Sequence, residues 1–519
     1  MSVQAELFER ADAKPPKQLA KVVEEIVAGG FDTRLFFDNF EVMAQATGGL
    51  KRVRELAIEV ATRGLFLEES VRSSWREVQL ADVVVEFQNG ISKRRGDRGA
   101  PVPVLRLADI EAGVRLREVD LREIVLTAEE QQKYRVRRGD ILVIRVNGSG
   151  DLVGRFIPCE VNRDWAYSDH LIRLRLHSDL VDPSFLSAIS RSAAARTHLA
   201  SRTVTTAGQK TINQQGLGSL RFLLPPLAEQ KRIVAKVEQL MARCDELEAR
   251  QIRKRETGTR LTESALGALT TAEGPDEFEV AWKRVVENFG VLINRAESVS
   301  RLRATILELA MTGRFSSRAS GGVPDKWATV TVGEVAIKVT DGDHLTPRRE
   351  DRGRYLLSAR NVRDGAIDLA DVDFVPEEEF VRMRRRCDPN AGDILLSCSG
   401  SIGRVAIVDR NDQYAMVRSA AMIRPNPDVV TSRYLHFALR SPGVQRQMLD
   451  KSRASAQANL FIGKIKELSF PLAPLPEQTQ IVAKVENLMR VCDELESRLR
   501  RAEDSAAKLV EAVVQELVA

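Results

Sequence analysis

Cysteine is sparse in this sequence. There are five in 519 residues (Cys159, Cys244, Cys387, Cys398 and Cys492), an odd number with no CxxC pair. That pattern argues against a disulfide framework or a zinc site and predicts buried thiols in a reducing cytoplasm. The five histidines, His170, His177, His198, His344 and His436, are scattered, and none stands near a cysteine in metal-ligand spacing. No apolar run approaches the roughly 20 residues that span a bilayer, so no membrane partner is expected. The opening MSVQAELFERADAK carries acids where a signal peptide would have its apolar core.

Catalytic signatures are missing too. The chain has no GxxxxGK[ST] phosphate loop, no Asn-Pro-Pro-aromatic stretch and no nuclease carboxylate cluster. GSGDLVG at 148–154 misses the GxGxxG spacing of a dinucleotide loop. A non-enzymatic role is therefore expected, with no cofactor in this chain. Neither sign of charge dominates: 78 Lys+Arg stand against 73 Asp+Glu, net +5. That balance neither requires nor excludes nucleic acid, because a local basic face counts for more than the sum.

What the sequence does have is a copy of itself. Residues 225–250, PPLAEQKRIVAKVEQLMARCDELEAR, match residues 473–498, APLPEQTQIVAKVENLMRVCDELESR, at 18 of 26 positions without a gap. Residues 37–66 align gaplessly with 286–315, Trp75 answers Trp327, and RGDILVI (138–144) answers AGDILLS (391–397). The two copies are cut unusually. Two helical parts that join directly in the middle of the chain are separated at its ends, one at each terminus. This is a circular arrangement, in which the first and last helices must meet to rebuild the central connector.

The connector helices carry heptad spacing. Ile233, Val237, Leu240, Cys244 and Leu247 form one seam, repeated by Ile481, Val485, Leu488, Cys492 and Leu495 and continued by Leu499, Ala502, Ala506, Leu509 and Val513. Returning helices show their own, at Leu50, Val53, Ala57 and Val60 and at Val299, Leu302, Ile306 and Leu309. Five segments follow: an N-terminal part of a split connector (1–72), a globular domain (73–226), a central helical connector (227–325), a second globular domain (326–474) and a C-terminal connector part (475–519). Short Val/Ile/Leu strands and Gly/Asn/Asp turns mark the globular segments. The fold class expected is α+β, with two globular α/β domains separated by long antiparallel coiled-coil helices in a pseudo-twofold circular repeat.

Between their shared landmarks the two globular segments diverge, so the frame is common and the cargo differs. Basic runs recur in the divergent parts: SKRRGDRGA (92–100) and KYRVRRGD (133–140) in the first copy, TPRREDRGR (346–354) and RMRRRCDP (382–389) in the second. A charge run is usually a solvated face, but recurrence at corresponding places favours a phosphate-binding surface. Polar loops accompany them: VNGSGDLVGR (146–155), TVTTAGQKTINQQ (203–215), TDGDHLTPR (340–348), SCSGSIGR (397–404) and SRASAQANLF (452–461). Glycine admits close backbone approach to phosphate, and Asn, Gln, Ser and Thr can pair with base edges.

The doubled PLxEQxxIVAKVExLM…DELE segment, the paired GDIL stretches, DGDHLTPR, and TTAGQK before the LPPL exit together resemble the specificity (S) subunit of type I restriction–modification enzymes, from about residue 37 onward. The resemblance implies two target-recognition domains, each reading half of an asymmetric, split sequence in double-stranded DNA. It implies connectors that dock two methyltransferase subunits, joined by restriction/translocase subunits. S-adenosylmethionine, ATP and Mg²⁺ would belong to those partners. One departure stands out: Asp343 occupies a place where the family usually has a small hydroxylic residue.

The DNA contacts expected from these loops are Arg94, Arg95, Arg145, Asn147, Ser149, Gln209 and Lys210 in the first domain, and His344, Thr346, Arg348, Ser399, Ser401, Gln457 and Asn459 in the second. No catalytic or metal-binding residue is expected. Two other readings fit the residues: a coiled-coil scaffold presenting two binding domains without DNA, and a specificity subunit of a different DNA-modification system.

Overall fold

The computed structural model describes residues 33–518, apart from 47, 93–97, 112–114, 117–120, 150–151, 161, 163, 207, 316–326 and 453–457. The chain divides into two compact units. Among the described residues, one unit gathers residues 33–253 with 503–518, and the other gathers 254–502. Each unit is one full copy of the repeat.

Four helices make the frame: α1 (Gly49–Thr62), α2 (Leu227–Thr271), α3 (Ala296–Met311) and α4 (Leu475–Val518). The carbonyls of Pro226 and Pro474 accept the first helical bonds of α2 and α4, from Gln230 and Gln478 (3.0 Å each). At a helix start the missing proline N–H costs nothing. Every residue of the predicted α2 seam, Ile233 to Leu247, is buried, at most 6% exposed.

In the first unit α1 packs on that seam through Val53, Leu56, Ala57 and Val60. The two helices run antiparallel: Arg54 pairs with Asp245 and Glu248 (2.7 Å each), whereas Ala61 joins the cluster of Ile233 and Val237. Ala506 and Val510 of α4 complete this core, and Arg52 pairs with Glu511 (2.6 Å). The last helix lies against the first ones, as a circular repeat requires. In the second unit Val299, Ile306 and Leu309 of α3 meet Ile481, Val485, Cys492 and Leu495 of α4, and the end of α2 supplies Leu266 and Leu269. Arg303, 249 residues beyond Arg54, pairs with Asp493 (2.6 Å) and Glu496. The copied CDELE thus places a buried thiol in the seam and two acids on the returning helix's arginine.

Each unit carries an antiparallel sheet of the same topology. Strands β1 (Val84–Asn89), β2 (Ile141–Ile144), β3 (Phe156–Pro158) and β4 (Leu171–Leu176) lie in the order β1-β4-β2-β3. Strands β5 (Ala336–Asp341), β6 (Ile394–Ser397), β7 (Val405–Ile407) and β8 (Ala420–Pro425) lie in the order β5-β8-β6-β7. The GDIL landmark feeds the innermost strands: all four residues of β2 and of β6 are buried. Its aspartate is a buried turn cap. Asp140 accepts from the Arg137 amide (2.8 Å) and pairs with Arg175 (3.2 Å); Asp393 accepts from the Asn390 amide (2.9 Å) and from Arg424 (2.8 and 2.9 Å).

The EQ of the copied segment fixes sheet domain to helix. Gln230, fully buried, accepts from the Asp182 amide (2.8 Å) and donates to the carbonyls of Leu180 (2.9 Å) and Pro225 (2.8 Å). Gln478 does the same, accepting from Thr431 (2.9 Å) and donating to Val429 (3.0 Å) and Ala473 (2.8 Å). All five cysteines are free and buried, as expected. Burial raises every one of these thiols, Cys244 to about 11 and the other four to about 12, so they stay protonated and inert.

Candidate nucleic-acid interface

Antiparallel pairing places the C-terminal ends of β1 and β2 beside the N-terminal ends of β3 and β4, on one edge of the sheet. Of the polar loops singled out by sequence, 146–155, 340–348 and 397–404 leave that edge, and the described parts of 203–215 and 452–461 join it through backbone pairing. Two of them, distant in sequence, are joined by backbone pairing. In the first unit a short three-stranded sheet sets Lys210 opposite Asn147 and Thr211 opposite Val146, and the Ile212 amide donates to the Arg145 carbonyl (3.0 Å). In the second, Ser399 bridges Asn459, and the Leu460 amide donates to the Cys398 carbonyl (2.9 Å). The two frames share the amide bond that ties one loop to the other, and the residues they present differ.

The structure places eleven of the fourteen expected contacts. Gln209 and Lys210 are exposed on the paired strand, and Ser149 is exposed at the tip of the neighbouring turn. Asn147 accepts from the Ser149 amide (2.7 Å), so its side chain shapes that turn. Arg145 is half-buried, donating to the Asp169 carbonyl (3.3 Å), and acts as a prop behind the loops. In the second unit Thr346 and Arg348 are exposed, Arg348 lying near Glu350 (3.4 Å). Ser401 is exposed, its carbonyl accepting from Ser397 (2.5 Å), whereas Ser399 and Asn459 are half-buried at the bridge. Arg94, Arg95 and Gln457 lie outside the described residues.

His344 belongs to a small network. Its Nε2 lies 2.8 Å from Asp341 and 3.1 Å from Arg386, and Arg386 also pairs with Asp341. Burial alone would push the Asp341 carboxyl up, but hydrogen bonds from Arg386 and His344 outweigh it and hold the group below the usual carboxylate range. Asp343 pairs with Arg382. The departure noted in DGDHLTP therefore has a structural role: it ties the loop to the RMRRR run.

That run was expected to favour a phosphate surface; Arg384 instead turns inward, and Arg382 and Arg386, though partly exposed, are engaged by neighbouring groups. Arg384 donates to the carbonyls of Pro389 and Tyr414 (3.0 Å each) and pairs with Asp412 (2.7 Å). Arg382 and Arg386 grip the loop at 341–344. In the first unit Arg173 plays the clamp, donating to the carbonyls of Lys133 and Arg135 (2.9 Å each) and leaving Arg137 and Arg138 exposed. The turns at 168–170 and 417–419 also reach this edge, bringing exposed Arg418 beside the Asp343 carbonyl through its amide (3.1 Å). Sequence offered no signal for either turn, because each lies there only through strand pairing.

A twice-built mixed α/β module, its frame repeated and its edge loops different, defines a class of duplicated protein with two dissimilar polar faces. The comparisons with known proteins narrow the class. The family model described as "Type I restriction modification DNA specificity domain" matches residues 73–255 and 324–502, and the chain belongs to that family. It is 41% identical over 241 residues to the type I restriction enzyme StySPI specificity subunit of Salmonella potsdam, covering 44% of this chain and 52% of that protein. It is 25% identical over 460 residues to the EcoBI specificity subunit of Escherichia coli, covering 83% of each. The chain spans about half the length of StySPI and of the EcoKI subunit (52% each) in those alignments. A solved chain from work on complex assembly and conformational transition of the type I R-M system shares the fold at TM-score 0.51, with 18% identity over 85% of this chain and 97% of that one.

Proposed function

We propose that this chain is the sequence-reading subunit of a type I restriction–modification complex, with each unit reading one half of an asymmetric, bipartite target in double-stranded DNA. One observation carries the reading. Matching backbone bonds bring two sequence-distant polar loops to one sheet edge in both units, yet the side chains on those edges differ. A conserved frame with different cargo is what two different half-sites need. Lys and Arg around the edge would supply salt-dependent, sequence-blind affinity, and the Ser, Thr, Asn and Gln side chains would read base edges. Direct contacts are assigned to Ser149, Gln209, Lys210, Thr346, Arg348 and Ser401, and Arg94, Arg95, His344 and Gln457 are proposed as further contacts. Arg145, Asn147, Ser399 and Asn459 position the loops.

The paired helices would dock two methyltransferase subunits and, through them, restriction/translocase subunits. S-adenosylmethionine, ATP and Mg²⁺ would act in those partners, this chain performing no chemistry, and the assembly would work in the cytoplasm. Among the described residues no helix is long and apolar enough to cross a membrane. The test is to exchange residues 73–226 for the corresponding domain of a relative and map methylated bases in the host genome. One half-site should change and the other persist; a change in both, or in neither, sinks the reading.

A further inference from the structure

Beside the reading edge of the first unit lies an open pocket of about 330 Å³. Arg155 enters from the turn after β2, Arg196 from the helix Ala193–Ser201, and Lys210 from the paired strand; Gly154 and Ser190 complete its polar wall. Three cations from three separate segments thus converge on one space. Gly154, at φ 78°, lies against Leu199, whose side chain a Cβ there would approach to 3.1 Å, so the turn carrying Arg155 sits close to the helix carrying Arg196.

The second unit shows what the same frame looks like without this arrangement. At an offset of 249 residues Arg155 becomes Arg404 and Arg196 becomes Gln445. The equivalent backbone bonds of Ile212 and Leu460 put Ala458 at the place of Lys210. Gln445 is folded back into its own unit, donating to the carbonyls of Gly403 (2.8 Å) and Leu439 (2.7 Å). Three cations in one copy correspond to one cation, an inward-turned amide and a methyl group in the other. Shared folding needs do not explain the difference, because the second unit builds the same four-stranded sheet without it.

We propose that the first-unit pocket is a phosphate anchor, built to seat a phosphodiester of the DNA backbone next to the first half-site, and that the described residues of the second unit form no counterpart. This rests on the DNA-reading function proposed above. Arginine's planar fork suits phosphate oxygens, and Lys210 links the anchor to the strand that presents Gln209. The two half-sites are therefore held unequally, with more of the ionic grip on the first.

The test uses the full-length chain and a random-sequence duplex, with affinity measured by fluorescence anisotropy between about 50 and 300 mM KCl. Arg196→Gln and Lys210→Ala import the residues of the second unit. Each should lower the slope of log affinity against log salt by about one, the change expected for one phosphate contact. Lys283→Gln, neutralising an exposed lysine of the other unit, should leave the slope unchanged. Thermal melting checks that each variant is folded, and if Arg196→Gln unfolds, exposed Lys210→Ala decides. Unchanged slopes in the folded variants overturn the anchor. Calorimetric titration with inorganic phosphate separates the sources. Saturable binding abolished by Arg196→Gln, with the DNA slope unaltered, would mean that the pocket takes a free anion and would overturn the backbone assignment. A wild-type chain that binds no duplex even at the lowest salt would defeat the DNA-reading function itself, leaving phosphate titration to decide the pocket alone.

Discussion

Gln230 and Gln478 show how much a single side chain can carry. Each satisfies three buried main-chain groups at the junction of sheet domain and helix. Removing either leaves those groups without partners, and orphaned buried polar groups cost about 1–3 kcal/mol each. Gln230→Leu and Gln478→Leu should therefore each lower the urea midpoint of their own unit, by similar amounts. A midpoint unmoved in both would show that the junction does not depend on them. His436 makes a second, asymmetric case. It is buried, and desolvation, helped by nearby Arg440, pushes its pKa down to about 3. A histidine whose folded value lies below its ordinary 6.5 resists protonation only when folded, so acid favours unfolding. Stability from this group is intact above about pH 6.5 and falls as pH drops toward 3, by about 2 kcal/mol between pH 6.5 and 5. The first unit has Ser187 at this place, donating to the Phe156 carbonyl (3.0 Å). His436→Ser should flatten the acid slope of the second unit's stability, whatever it does to the absolute value. Parallel pH slopes for the two proteins would contradict this.

At the scale of elements, α4 serves both units: residues 475–502 in one and 503–518 in the other. Deleting residues 503–519 removes Ala506, Val510 and the Arg52–Glu511 pair from the first unit alone. Hydrogen exchange should then rise in α1 and stay unchanged in α3; equal protection in both helices would show that the terminal segment contributes nothing. These helices were legible in the sequence because their information is local and periodic. Heptad spacing at Ile233–Leu247 and Ile481–Leu495 predicted the buried seams, the one looser position being half-buried Leu488. The proposed reading edge was legible only as separate loops. Nothing in the order of residues says that Lys210 lies opposite Asn147, because that pairing is a long-range strand register. A run such as RMRRR is opaque for a related reason: four arginines in five letters do not reveal that Arg384 binds carbonyls while Arg382 and Arg386 hold a loop.

For the whole molecule, the decisive property is circularity. The C-terminal residues 503–518 occupy in the first unit the place that residues 255–270 occupy in the second. A chain that closes on itself has no privileged starting point. Joining the present termini through a flexible linker and opening the chain between Thr271 and Pro275 should yield a protein with the wild-type circular dichroism spectrum and the same methylation pattern in the host. Failure of a soluble permutant to restore methylation would show that chain order matters beyond topology. The permutation is sequence-visible, because the copies match at a near-constant offset even where their ends do not.

The glutamine lock has an evolutionary corollary. Every group that the Gln230 and Gln478 side chains hydrogen-bond belongs to the main chain. A fastening blind to side chains accepts any cargo that keeps the same backbone path. The stretch around it, matching at 18 of 26 positions, keeps the joint alike in both copies. New specificities can then arise by trading whole modules at that seam, without re-evolving the joint that holds them.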